Sequence, residues 1–259
     1  MLAGCGGELK GEVDGQKFVR CAQTQPVART YRAGSLVLTV QDRTLQVDGA
    51  TRLAAFTGPV GRAFTAEDVA QLEDGELALW LGGLGDTAEL ARDNLTRLAA
   101  RRVPTLFIAG GADRWPIVER AFAALPEDVP IVQGSGLRKL RLGAHGFAIA
   151  AGAPRGRYAL DEQSCGLTPE DVTAIQSEAA GSAYLLSWHA PSSSPELSAL
   201  SRVLNAASGL WAFPEPEGPA ASWTVPRLGA PGTQRGDGAR LKSRVGHFLL
   251  GASGLQPRP

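Results

Sequence analysis

Two short segments concentrate the residue types that could do chemistry. Leu81-Gly82-Gly83-Leu84-Gly85-Asp86 and Ile108-Ala109-Gly110-Gly111-Ala112-Asp113 each run from an apolar stretch through paired glycines to an acid, then into a helical pattern. Glycine lets the backbone turn sharply and a following helix N-terminus favours an anion, so either junction suits a phosphate-bearing ligand. Neither carries a G-x-x-x-x-G-K-[ST] or G-x-G-x-x-G loop. Asp86 also has a structural reading, because Asp86 and Glu89 form a D-x-x-E capping pattern for the next helix. A third segment, Gly134-Ser135-Gly136, precedes Arg138-Lys139-Leu140-Arg141. It offers a grip for an anion or, as alternating basic residues on an exposed strand, a solvated face. The chain has three histidines, His145, His189 and His247, too few for a histidine-rich metal centre. Ser187 and His189 lie too close along one strand end to form a hydrolase pair unaided, and no G-x-S-x-G elbow exists. Without a C-x-x-C pair a structural zinc is not expected.

The elements that must position these residues read as mostly alternating strand and helix. Leu77–Leu81 and Thr105–Ala109 are short continuous apolar runs, the pattern of strands buried on both faces. Helical periodicity covers Thr87–Arg101, Pro116–Leu125, Pro169–Ala179 and Pro195–Ala207, with Pro116 suited to a first helical turn. Further strands are expected at Pro130–Gln133, Phe147–Ala151 and Tyr184–Ser187, and the tail from Trp223 reads as strands again, with Leu241–Leu250 the best candidate. Leu36, Leu38 and Val40, then Leu45 and Val47, alternate around Gln41-Asp42-Arg43 as a hairpin with one buried face. The expected organisation is a tether over 1–30, a β-hairpin extension over 31–50 and one α/β domain over 51–259.

Bulk properties exclude several classes. Lys+Arg and Asp+Glu both total 26, so no field of one sign draws the chain to nucleic acid. No apolar run reaches the roughly 20 residues of a membrane helix. Hydrophobic residues at 44% argue against global disorder.

The order and spacing of the junctions resemble the calcineurin-like metallophosphoesterase family over roughly residues 50 to 250. That resemblance implies a sandwich of two mixed β-sheets flanked by helices, with metal ligands on loops at strand ends, here preceded by the small β extension. The family signature is D-x-H, G-D-x-x-D, G-N-H-[DE], a lone His and G-H-x-H. D-x-H falls on Thr57-Gly58-Pro59, so Thr57 and Pro59 replace both ligands. G-D-x-x-D falls on Gly82 to Asp86, with Gly83 for the bridging aspartate and Asp86 for the trailing acid. G-N-H-D falls on Gly110 to Asp113, with Gly111 and Ala112 replacing the ligand and the catalytic histidine. The lone histidine falls on His189, and G-H-x-H has no match. A two-metal site needs carboxylates and imidazoles for ions about 3.5–4 Å apart. The resemblance therefore implies a member without metal or cofactor, whose glycine replacements leave a shallow cleft at the strand ends. Two other readings stand beside it: a reduced phosphoesterase using Asp86, Asp113 and His189 around one divalent metal, and a nucleotide- or sugar-phosphate-binding protein using the two Gly-rich turns.

The cysteines bear on location. Leu2-Ala3-Gly4-Cys5 resembles a bacterial lipobox, which implies lipidation at Cys5, a cell-envelope location and membrane association only through that lipid anchor. Without that signal a cytoplasmic location is expected. Cys21 and Cys165 then remain as an even pair, either a disulfide of an oxidising compartment or two separate buried thiols. The expected role is a binding or assembly subunit with protein partners in the envelope.

Overall fold

The computed structural model describes residues 10–59, 62–72, 75–154, 161–189, 195–204, 208–213, 223–224, 246–252 and 254–258. β1 (Lys10–Val13) and β2 (Gln16–Val19) form an antiparallel hairpin closed by Asp14 and Gly15, at φ 53° and 79°. Positive φ at both central residues matches the twist of paired strands, and Asp-Gly tolerates it. A 3-10 turn at Cys21–Gln23 follows, and Phe18, Cys21 and Ala22 are buried. Residues 10–24 are thus built into the fold, which corrects the reading of 1–30 as a tether. Only Phe18 is fully buried within these two strands, so no apolar alternation marks them.

β3 (Arg29–Ala33), β4 (Leu36–Gln41) and β5 (Thr44–Asp48) make an antiparallel meander. A β-α alternation follows: β6 (Arg52–Phe56), α1 (Ala66–Leu72), β7 (Leu77–Leu81), α2 (Ala88–Ala100), β8 (Thr105–Ile108), α3 (Trp115–Ala123) and β9 (Ile131–Gln133). β10 (Lys139–Leu142) and β11 (His145–Ala150) form a hairpin, and β12 (Ala153–Pro154) pairs with β13 (Gly166–Leu167). α4 (Pro169–Glu178), β14 (Tyr184–His189), α5 (Pro195–Val203), β15 (Ser208–Phe213), β16 (Trp223–Thr224), β17 (Gly246–Gly251) and β18 (Gly254–Pro257) complete the order.

Among the described residues, one mixed sheet runs β16-β15-β14-β11-β10-β5-β4-β3 and a second runs β18-β17-β6-β7-β8-β9. β5 pairs in parallel with β10, so the expected hairpin extension is an integral edge of the first sheet. Strand alternation divides the side chains between layers. Leu53, Ala55, Leu77, Leu79 and Leu81 join Leu38, Leu45, Phe147 and Leu186 in a core between the sheets. Ala54, Phe56, Ala78 and Trp80 face the other way, against Leu95 and Leu98 of α2 and Val118 of α3. Val172, Ile175, Leu197 and Leu200 of α4 and α5 cover Ala148, Ala150 and Leu185 of the first sheet. The architecture is α/β, two mixed sheets face to face with helices on the outer faces.

Two buried groups link the N-terminal segment to the body. Cys21 and Cys165 are joined by a disulfide, with Cα atoms 5.5 Å apart. Arg20 Nε and Nη2 donate to Asp171 Oδ2 and Oδ1 at 3.1 and 2.8 Å. Asp171 also accepts from the Thr168 N–H and closes a capping box at the start of α4. Burial pushes the Asp171 carboxyl up, but donors from Arg20, Thr168 and Gln23 hold it below its ordinary value of 3.8. A carboxyl depressed in the folded state contributes stability above its unfolded pKa and loses it as pH falls through the folded one. Stability should therefore drop in the acid range below about pH 4. Titrating the denaturation midpoint against pH should show that limb flattened in Asp171→Asn; an unchanged slope would remove Asp171 from the account.

Candidate functional site

Thr57 and the two glycine-rich junctions meet at the ends of β6, β7 and β8, and the reason is a set of backbone bonds. The Gly82 carbonyl accepts from Gly58 N–H at 3.0 Å, Thr57 Oγ1 at 3.2 Å and Trp80 Nε1 at 2.9 Å. Trp80 is fixed in turn by rings of Phe56, Phe64 and Phe107, with centroids 5.6, 5.0 and 5.1 Å away. Gly58 presses so close that a Cβ there would lie 1.8 Å from the Gly83 carbonyl oxygen. Gly82 and Gly83, at φ 69° and 78°, adopt the left-handed backbone this close turn requires.

Asp113 is the acid at the centre, 3% exposed. Its Oδ1 accepts from Leu84 N–H at 2.8 Å and Gly83 N–H at 3.1 Å, and its Oδ2 from Gly110 N–H at 2.7 Å and Gly83 N–H at 3.1 Å. The two Gly-rich turns do form an anion nest, and the anion in it is the chain's own carboxylate. Burial pushes the Asp113 carboxyl up, the three backbone donors oppose that, and the nearby Asp86 charge adds to it. The donors that a phosphate would need are thus engaged internally.

Trp188 closes the space beside them. It shares the face of β14 that carries Tyr184 and Leu186, the face turned to the other sheet. A Cβ on Gly82 would lie 2.7 Å from Trp188 Nε1, and one on Gly110 would lie 2.5 Å from the indole ring. Trp188 is 6% exposed. Trp188 thus fills the space over Gly82 and Gly110, which are glycines in the family signature too, whereas a Cβ at the replacement position Gly83 would lie 3.2 Å from the Gly58 backbone. Strand-end tryptophans were visible in the sequence, but their packing against junctions far away in the chain was not.

The remaining positions fall as follows. Thr57, Pro59 and Gly111 are buried, Ala112 is half-buried and Asp86 is exposed. Asp86 does not cap α2. Thr87 does, through its Oγ1 accepting from Leu90 N–H at 3.2 Å, because the helix begins one residue later than D-x-x-E implies. His189 occupies the last position of β14, paired with Phe213, and its side chain lies outside the described residues. The described part of the site does not suit the family's metals. Thr57, Pro59, Gly83, Gly111 and Ala112 present no carboxylate or imidazole, and both Asp113 oxygens already accept backbone donors. Among the described residues no group of three or more His, Cys, Asp or Glu side chains is placed to hold a metal ion. Cys5 lies outside the described residues.

No family model matches the chain, and no curated protein matches it. A solved crystal structure with 10% sequence identity superposes at a TM-score of 0.40, covering 63% of this chain and 84% of that one. A likeness of that size carries no argument about function.

Proposed function

We propose that this chain is a metallophosphoesterase-like protein without the catalytic metals, serving as a binding or assembly subunit of the cell envelope. The observation that carries it is the filled strand-end site, where Asp113 occupies the anion nest and Trp188 covers Gly82 and Gly110. Function resides in the site, not the fold, and here the groups at the site stabilise the protein itself. The arrangement of two mixed sheets with outer helices supports the family resemblance. The Cys21–Cys165 disulfide supports an oxidising compartment. No helix among the described residues is long and apolar enough to cross a membrane, and the membrane association in this reading is through lipid at Cys5.

The test is elemental analysis after incubation with manganese, iron and zinc, run beside turnover of a generic phosphodiester. The expected result is neither stoichiometric metal nor turnover. Bound metal with turnover abolished by His189→Ala would overturn the proposal in favour of a hydrolase.

A further inference from the structure

Arg138 stands at the entrance to β10. Its N–H and that of Lys139 both donate, at 2.7 and 3.2 Å, to the carbonyl of Arg43 in the turn between β4 and β5. Arg138 is 1% exposed, and its Nε and Nη1 have no acceptor among the described residues. This corrects the reading of the basic run as a solvated face. Lys139 and Arg141 do point outward on β10, but the residue just before it is enclosed.

The neighbouring charges do not neutralise it. Arg20, Arg43, Asp171 and Glu178 act on it electrostatically. Asp171 is engaged by Arg20 and by the start of α4. Glu178 lies 3.8 Å from Arg43 Nε, while Arg43 Nη1 donates to the carbonyls of Ala22, Thr24 and Gly136. Three guanidinium groups thus share two carboxylates. Burial, then the Arg43 charge, push the Arg138 pKa down to about 10, so it remains a cation at neutral pH. A buried cation with empty donors is strongly unfavourable unless an anion meets it.

We propose that a small inorganic anion of chloride size binds against the Arg138 guanidinium, between β10 and the neighbouring Arg43. The side chain is 1% exposed, which favours a compact ion over a phosphorylated metabolite. Ordered water is the competing occupant, and it would satisfy the donors without compensating the charge.

The experiment is thermal unfolding of the full chain in sodium chloride against sodium gluconate at equal ionic strength. A ligand that binds only the folded state raises its stability with saturation. The expected result is a saturable rise in Tm of roughly 2–4 °C in chloride only, absent in Arg138→Met. Equal Tm in both salts, or a chloride response retained in Arg138→Met, would overturn the proposal. Should Arg138→Met fail to fold, bromide-soaked crystals of the unaltered protein decide. An anomalous peak within hydrogen-bond distance of Arg138 supports the site, and water there refutes it.

Discussion

Asp113→Ala should destabilise the protein by about 4 kcal/mol or more, a large fraction of the 5–15 kcal/mol that holds a typical domain folded. The substitution leaves the N–H groups of Gly83, Leu84 and Gly110 without an acceptor. Each buried donor so orphaned costs about 1–3 kcal/mol. Relief from burying a carboxylate offsets part of this, which is why the sum is placed below the upper bound. Asp113→Asn keeps one acceptor oxygen and should lose roughly half as much. Urea denaturation midpoints of the two variants check both values. A loss under about 1 kcal/mol for the alanine variant would show that water reaches the nest and that Asp113 does not pin the two junctions.

The second large effect concerns the disulfide. Cys21 and Cys165 are separated by 144 residues. A cross-link closing so long a loop removes about 4–5 kcal/mol of chain entropy from the unfolded state. Replacing both cysteines by serine should lower stability by about that much, and a thiol reductant should do the same to the unaltered protein but nothing further to the double variant. Limited proteolysis gives an independent reading, since the hairpin of β1 and β2 is tied down beside Cys21 and should be cleaved first. If the double variant unfolds at the same denaturant concentration as its parent, the bond is ornamental to the folded state.

How much of this was legible depended on range along the chain. Leu77–Leu81 is apolar at five consecutive positions and buried at all of them, so local composition sufficed. Leu36, Leu38 and Val40 alternate because one face of β4 meets the core. The hairpin of β1 and β2 carried a turn signal in Asp14-Gly15, but its flanking strands are too polar to draw attention to it. Thr168 and Asp171 also carried a readable capping pattern, whereas the second task of Asp171, holding Arg20, joins residues 151 apart. The site was harder still. Its glycines were visible, yet what fills the space beside them comes from Trp188, and no local pattern announces a contact between an indole and two distant turns. Arg138 is a case of the same kind: the charged groups around its buried side chain, Arg20, Arg43, Asp171 and Glu178, come from distant parts of the chain.

The pairing of β17 with β6 sets the order in which this protein can be made. Gly246 faces Ala55 and Leu249 faces Arg52, so the sheet that β6 enters is extended on this edge by a strand far downstream of it. During synthesis β7 is available to β6 once residue 81 has emerged, whereas β17, the partner of its other edge among the described residues, is made much later. An unpaired strand edge is a template for association with other chains, and contacts so distant in sequence form slowly. A chain stopped short of residue 246 would carry that open edge permanently, whereas the finished one covers it with β17 and β18.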